Sequence, residues 1–256
     1  MTAITSHVRS LARSRAALAS GRRPRVFTLA GRDWELLDEV FAPIHSPTTR
    51  VAMELLDLPA EDAGEGERRD RCDPGEVPYR RHGTFLEIGS GTGVIAVSAA
   101  LAGCARVVAT DINAAAVRNT AANAARHRVD DRVSSRHGDL FAAVGEEERF
   151  DTVYWHSNYV LAPRDYRYAS DHERAYVDPG YRTHRRYLAE APGLLTEGGT
   201  ALLQFSERGD LDLLRRLADE CGRTLRPVRR RRLSEGDESI ELVLYEIGVA
   251  DVPRTA

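Results

Sequence analysis

Hydrophobic positions change their period along this chain. From Thr84 onward, short apolar runs alternate with longer stretches whose apolar residues recur every three to four positions. The short runs predict strands at Thr84–Ile88, Arg106–Thr110, Arg132–Arg136, Arg149–Trp155 and Thr200–Phe205. The longer stretches predict helices at Gly93–Ala102, Asn113–Arg128, Tyr181–Leu195 and Asp210–Cys221. Such alternation specifies a parallel sheet with helices on both faces. The end differs: "TLRPVRRRRL", a turn at Ser234-Glu235-Gly236-Asp237, and "SIELVLYEI" read as two long antiparallel strands. The expected fold is α/β and Rossmann-like, a seven-stranded, mostly parallel sheet ending in an antiparallel hairpin.

The pattern before Thr84 is less regular. Thr2–Ser20 predicts a short helix with Val8, Leu11 and Leu18 roughly on one face. "RVFTLAGRDWELL" predicts a hairpin with its turn at Ala30-Gly31-Arg32-Asp33. "SPTTRVAMELLDL" predicts a helix capped by Ser46 or Thr48, with Val51, Leu55 and Leu58 at helical spacing. Pro59–Gly83 is charged, rich in Gly and Pro, and has little to bury, which reads as a mobile surface loop. The expected organisation is a site-covering segment at 1–58, that loop at 59–83, a catalytic domain at 84–248 and a tail at 249–256.

Composition narrows the class. The 256 residues are 42% hydrophobic, enough for a packed core, and no apolar run is long enough to cross a membrane. The N-terminus is Arg-rich but lacks the apolar centre of a secretory signal. Every basic residue is Arg, as in a GC-rich bacterial genome, and the formal charge of −3 argues against a dedicated nucleic-acid binder. Cys72, Cys104 and Cys221 are scattered, with no metal-ligand spacing, so no metal is expected and a reduced, cytoplasmic protein fits.

The most informative stretch is "FLEIGSGTGVIAVSAA". An apolar strand ends near Glu87, a turn with Gly89, Gly91 and Gly93 follows, and a helix begins. Glycines let the backbone turn sharply and approach a ligand, and a helix N-terminus offers N–H groups. A dinucleotide fingerprint would need a third Gly at position 94, which is Val94. The spacing G-x-G-x-G, with Glu87 two positions before it, resembles motif I of class I S-adenosylmethionine-dependent methyltransferases. Asp111 ends the next strand, 20 residues after Gly91, where a carboxylate binds ribose hydroxyls. Ile112 and Asn113 follow it, and Asp139 and Leu140 lie after the third strand, where this class often contacts the adenine amino group.

The order of motifs, from "VFAPIHSPTTRVAMELL" through "FLEIGSGTG", "VVATDIN", "GDLF" and "FDTVYWHSNYV" to "YLAEAPGLLTEGGTALLQFS", resembles the release-factor glutamine methyltransferases and related enzymes with an Asn-Pro-Pro-Tyr tip. The resemblance spans about Arg25 to Ile247 and implies S-adenosyl-L-methionine as cofactor, held by Glu87, Gly89, Ser90, Gly91, Thr92, Gly93, Asp111, Ile112, Asn113, Asp139, Leu140 and His156. In that family the Asn of the tip holds the acceptor nitrogen and the Tyr packs on the acceptor plane. Here His156 stands at the Asn position, Ser157 and Asn158 replace both prolines, and Tyr159 is kept. The residues before Arg25 leave little room for the separate N-terminal helical domain of the release-factor enzymes, so none is expected in this sequence.

The altered tip leaves roles open. His156 titrates near neutrality in its ordinary state and is a candidate base; Asn158 is a candidate acceptor holder; Tyr159 offers a ring face to a cation. The polar, aromatic stretch after the tip supplies Glu173, Tyr176 and Asp178 as candidate substrate residues of an acidic, aromatic pocket, with Phe41 and Thr48 closing the other side. The primary expectation is an N-methyltransferase for a small molecule, amino acid, guanidine or peptide, in bacterial specialised metabolism. The alternatives are an S-adenosylmethionine cyclase releasing methylthioadenosine, a protein glutamine or RNA methyltransferase, and a non-catalytic cofactor-binding domain. The run Arg229–Arg232 alternates faces if extended, so it makes no continuous basic patch.

Overall fold

The computed structural model describes residues 6–19, 24–60, 79–80, 82–235 and 238–250. Its centre is a seven-stranded sheet built from β3 (Thr84–Ile88), β4 (Arg106–Asp111), β5 (Val133–His137), β6 (Phe150–His156), β9 (Leu195–Ser206), β10 (Arg223–Glu235) and β11 (Glu238–Val249). The spatial order is β10-β11-β9-β6-β3-β4-β5. Strands β5, β4, β3, β6 and β9 pair in parallel, and β11 runs antiparallel to both β9 and β10. The expected sheet is therefore present. Strand order reverses between β3 and β6, which opens a crevice beyond their C-terminal ends.

Each face of the sheet is covered by helices. Alternation along β6 divides its side chains between the two sides: Tyr154 enters one apolar cluster, and Val153 and Trp155 the other. The first cluster is roofed by α2 (Thr48–Leu55), α3 (Val94–Leu101) and α4 (Ala114–Arg126). The second lies under α5 (Arg182–Glu190) and α6 (Leu211–Glu220). Seven of the eight residues of α3 are buried, because this helix is sandwiched between the sheet and α2 rather than facing water.

Helix α1 (His7–Ala19) and the hairpin of β1 (Val26–Leu29) and β2 (Arg32–Glu35) lie outside the main sheet, as does the short pair of β7 (Leu161–Ala162) with β8 (Asp178–Pro179). Trp34 of β2 is fully buried and donates its indole N–H to the Leu29 carbonyl at 3.0 Å. Two asparagines of α4 hold the chain as it leaves β2. Asn123 accepts from Glu35 N at 2.7 Å and donates to Thr92 O at 2.8 Å, and Asn119 accepts from Leu37 N at 2.8 Å. One face of α4 thus ties the N-terminal segment to the glycine loop.

Several element boundaries differ from expectation. The helix expected over Tyr181–Leu195 stops at Glu190 and passes through a 3₁₀ turn at Ala191–Leu194, where Pro192 lacks an N–H to continue the α-helix. β9 therefore starts at Leu195, before Thr200. Neither Ser46 nor Thr48 caps α2: Pro47 occupies the cap, and the two hydroxyls bond each other at 3.0 Å. That helix ends at Leu55, short of Leu58, and Asp57 follows with φ 52°. The final strand runs through Val249, one residue into the expected tail. Most of the charged loop, 61–78 and 81, lies outside the described residues, as do positions 236–237 of the hairpin turn. Tyr79, however, is buried edge-on against Phe85.

The arginine run of β10 is engaged within the sheet and with α2. Arg230 and Arg232 flank Glu241 at 2.9 and 3.2 Å, Arg231 pairs with Glu54 at 2.9 Å, and Arg229 donates to the Leu55 carbonyl at 3.2 Å. No helix among the described residues is long and apolar enough to cross a membrane.

Candidate active site

A cavity of about 700 Å³ opens beyond the C-terminal ends of β3, β4 and β6. Its floor is the glycine loop. Gly91 (φ 55°) and Gly93 (φ 78°) hold left-handed conformations that other residues adopt reluctantly. A Cβ on Gly93 would stand 2.8 Å from the Thr120 backbone, so this residue lets α4 approach the loop. Gly93 does not itself line the cavity, a correction to its expected contact role. Ser90 and Thr120 hydroxyls bond each other at 3.0 Å beneath the loop.

Two carboxylates face this floor. Asp111, at the end of β4, accepts from Gly91 N and Asn113 N, each at 2.8 Å. Burial pushes its carboxyl up, and those two N–H groups pull it back. Glu87 is 2% exposed and accepts from Ala96 N at 2.8 Å. The N–H groups at the start of α3 are thus partly spent on the chain's own Glu87. Burial raises the Glu87 pKa well above the ordinary range, and nearby Asp111 adds to this. A buried acid of this kind is complementary to a cationic group of a bound molecule.

Glu87, Gly89, Ser90, Gly91, Thr92, Asp111, Ile112, Asn113, Asp139, Leu140 and His156 all line the cavity. Asp139 is half-exposed and holds Arg186 of α5 at 2.6 Å, a partner from 47 residues away. The set fits the groups of S-adenosyl-L-methionine: Glu87 for an ammonium, Asp111 for ribose hydroxyls, Asp139 at the far rim for an adenine amine.

The second half of the cavity is lined by Phe41, Thr48, Asn158, Tyr159 and Tyr176. Phe41 meets Tyr176 edge-on at 5.4 Å, joining the N-terminal segment to the loop after the tip. Asn158 donates its Nδ2 to two carbonyls, Arg174 O at 2.5 Å and Val177 O at 2.9 Å, which fixes the amide's orientation. Its Oδ1 is buried and has no hydrogen-bond partner among the described residues. The Tyr159 carbonyl is taken by the Tyr181 hydroxyl, which also accepts from Asp210 N. His156 has no side-chain hydrogen bond among the described residues, and loss of solvation lowers its pKa to about 4. Its imidazole is therefore neutral at pH 7.

Glu173 and Asp178 do not line the cavity, and the acidic pocket expected from them is absent. Glu173 is turned away to accept from the Tyr166 hydroxyl at 2.7 Å and Ala169 N at 2.8 Å, with Arg15 at 3.6 Å. Asp178, on β8 just before α5, is fully buried and accepts from Thr183 N, His184 N and, at 2.7 Å, His184 Nδ1. Both are short acids beside free backbone N–H groups, and satisfying those donors outweighs facing a cavity. Residues that sequence reasoning missed take their place: Arg13 of α1, Trp155, Asp171, His172 and Arg174. The pair Asn119 and Asn123, four apart in an alanine-rich helix, was the legible sign of a polar clamp under the loop.

Comparison with known proteins agrees with this geometry. Residues 45–155 match the ribosomal protein L11 methyltransferase family (PrmA). A release factor glutamine methyltransferase of Bordetella pertussis is 33% identical over 163 residues, covering 60% of this chain and 58% of that protein. The fold matches a methyltransferase of Pyrococcus furiosus with TM-score 0.54 and 16% identity, over 94% of this chain and 98% of that one. The chain is thus similar to the class I S-adenosylmethionine-dependent methyltransferases, in sequence over the glycine loop and its flanking strands and in fold over most of its length. A second structural match is a 16S rRNA N2 G1207 methyltransferase of Thermus thermophilus in complex with AdoMet and guanosine, with TM-score 0.55 and 18% identity, over 88% of this chain and 50% of that one. These similarities and the residues lining the cavity support S-adenosyl-L-methionine as the cofactor. The chain spans about half the length of the curated relatives it matches. Among the described residues no cluster of His, Cys, Asp or Glu is arranged to hold a metal ion.

Proposed function

We propose that this protein is an N-methyltransferase whose acceptor is a nitrogen bearing at least one hydrogen, on a small molecule or a peptide side chain. The observation that carries the proposal is the Asn158 amide: Nδ2 is held by two carbonyls, and Oδ1 is left buried and unpartnered in a residue that lines the cavity. A buried acceptor atom without a donor is costly, and an N–H of the bound acceptor removes that cost.

The cofactor supplies an electrophilic methyl carbon when bound. The residues of the chain supply position. Asn158 Oδ1 accepts one N–H and so turns the nitrogen lone pair in a fixed direction, and most of the rate follows from holding that geometry. Phe41, Tyr159 and Tyr176 give the acceptor flat apolar walls that limit its motion. His156, neutral and with a pKa of about 4, is a hydrogen-bond partner rather than a base strong enough to keep an amine's proton. The lack of Glu173 and Asp178 in the cavity removes the basis for a guanidine-selective pocket. The glutamine amide acted on by the relatives named above remains within the proposed acceptor class. So does an amino acid or amine of specialised metabolism.

The test is mass spectrometry of the purified protein with S-adenosylmethionine alone, then with pools of glutamine peptides, amino acids and amines. S-adenosylhomocysteine formed only with one pool is the expected result. Methylthioadenosine without any acceptor would overturn it, making the tip a clamp for the cofactor's own amine.

A further inference from the structure

Helix α1 crosses the acceptor side of the cavity, and its faces are sorted. Leu11 packs with Val160, Ala162 and Val177, and Ser14 Oγ meets His172 Nδ1 at 2.7 Å. Arg15 reaches Glu173 on the outer side. The adjoining strip, Ser10, Arg13 and Ala17 at helical spacing together with Ala16, lines the cavity. Three of these residues are small. The fourth is an arginine.

The charges around the cavity give this arginine a meaning. Glu39, Glu87, Asp111, Asp139 and Asp171 contribute carboxylates to the lining, and the arginines are Arg13 and Arg174. Arg174 is engaged: its Nε donates to Asp171 at 3.0 Å, and its guanidinium lies 4.4 Å over the Tyr168 ring. Arg13 has no hydrogen bond or ion pair among the described residues. The cofactor, in turn, carries one anionic group. Its ammonium, hydroxyls and amine are complementary to acids of this lining, whereas its carboxylate is complementary only to a cation, and Arg13 is the lining arginine not already engaged. An arginine fork matches a carboxylate in shape and charge.

We propose that Arg13 binds the carboxylate at the methionine end of the cofactor, so that the cofactor's own charge fastens α1 across the acceptor compartment. This rests on the S-adenosylmethionine reading of the site and is independent of the acceptor. Arg13 is a binding residue in this account, and α1 is part of the cofactor site rather than an appendage of the domain.

Three nucleosides test it by calorimetry: S-adenosylmethionine, decarboxylated S-adenosylmethionine, and 5′-methylthioadenosine, which has no methionine end. Wild-type protein should prefer S-adenosylmethionine over the decarboxylated form by about tenfold, the size of a partly exposed charge-assisted contact. Arg13→Gln should erase that preference and leave methylthioadenosine affinity within about twofold. Arg13→Lys should restore part of the preference. Equal loss for all three ligands would make Arg13 a helix support and overturn the proposal. An Arg13→Gln protein that keeps the wild-type preference would overturn it too, since the carboxylate then has another partner. A wild-type protein that binds none of the three would sink the cofactor reading itself, a result distinct from either failure of Arg13.

Discussion

The two halves of the cavity are built in different ways. The cofactor half comes from the ends of adjacent parallel strands: Glu87 on β3, Asp111 on β4, and the loop between β3 and α3. Its two inner carboxylates are held by backbone N–H groups of the strand ends and the glycine loop themselves, as when Asn113 N and Gly91 N hold Asp111 and Ala96 N holds Glu87. The acceptor half is assembled from distant pieces: α1, Phe41 and Thr48, the tip at 156–159, and the loop carrying Tyr168 and Tyr176. Its contacts cross long sequence gaps, such as Ser14 to His172. A strand end fixes its side chain by register, whereas a loop residue goes wherever its strongest unsatisfied partner lies. Spacing along the sequence therefore says more about the cofactor half than about the acceptor half, whose loop acids turn away from the cavity.

The contrast breaks first at Asn158. If Asn158→Ala lowers kcat by about a hundredfold with cofactor affinity unchanged, the acceptor half acts by positioning. A loss in cofactor binding instead would show that the two halves are not separable. The converse variant, Asp111→Ala, should weaken cofactor binding by about tenfold or more in calorimetry, the loss of charge-assisted bonds to the ribose.

Asp178 distinguishes a site residue from a structural one. Asp178→Ala leaves His184 and the α5 N-terminus without their acceptor, and should cost about 3 kcal/mol in denaturant unfolding. Its effect on KM for any acceptor should be minor once the protein is folded.

Glu87 sharpens the cofactor half through pH. Its folded-state pKa is raised, so the folded protein holds this proton to higher pH than the unfolded chain does. The contribution to stability is accordingly present below the ordinary glutamate pKa and lost as pH rises toward the folded value. Glu87→Gln should therefore raise the melting temperature at neutral pH while weakening S-adenosylmethionine binding several-fold. In the wild type, cofactor affinity should climb with pH as Glu87 ionises, and a flat profile would show that Glu87 does not meet the ammonium.

The smallest expected effect concerns His156. With its pKa lowered to about 4, the pH profile of kcat/KM should show no His156 limb between about pH 5 and 8. His156→Gln should leave the shape of the profile unchanged. A limb near 6.5 that vanishes in this variant would restore His156 as a base. The same shift acts on stability, because the unfolded imidazole takes up a proton below its ordinary pKa and the folded one resists until about pH 4. The stability gap between wild type and His156→Gln should move against the wild type as pH falls through that window.

What was legible in the sequence was whatever depends on local period and spacing. The strand at Thr84–Ile88, the glycine loop and Asp111 could be read because strands and helices impose their repeats on neighbouring residues. The tip at His156–Tyr159 could be found for the same reason, since it ends a strand. Tertiary structure alone decided where the loop acids point. Glu173 and Asp178 lie five residues apart in a stretch with no period, and each was claimed by nearby donors that a sequence does not rank. It also decided that Asn158 keeps its oxygen free, because the two carbonyls that hold its nitrogen arrive from residues 16 and 19 positions away. Arg13 was one of several arginines in the N-terminal stretch until α1 docked and turned it toward the cavity. Local chemistry sets which elements form, and the packing of distant elements sets which side chains are left unpaired to meet a ligand.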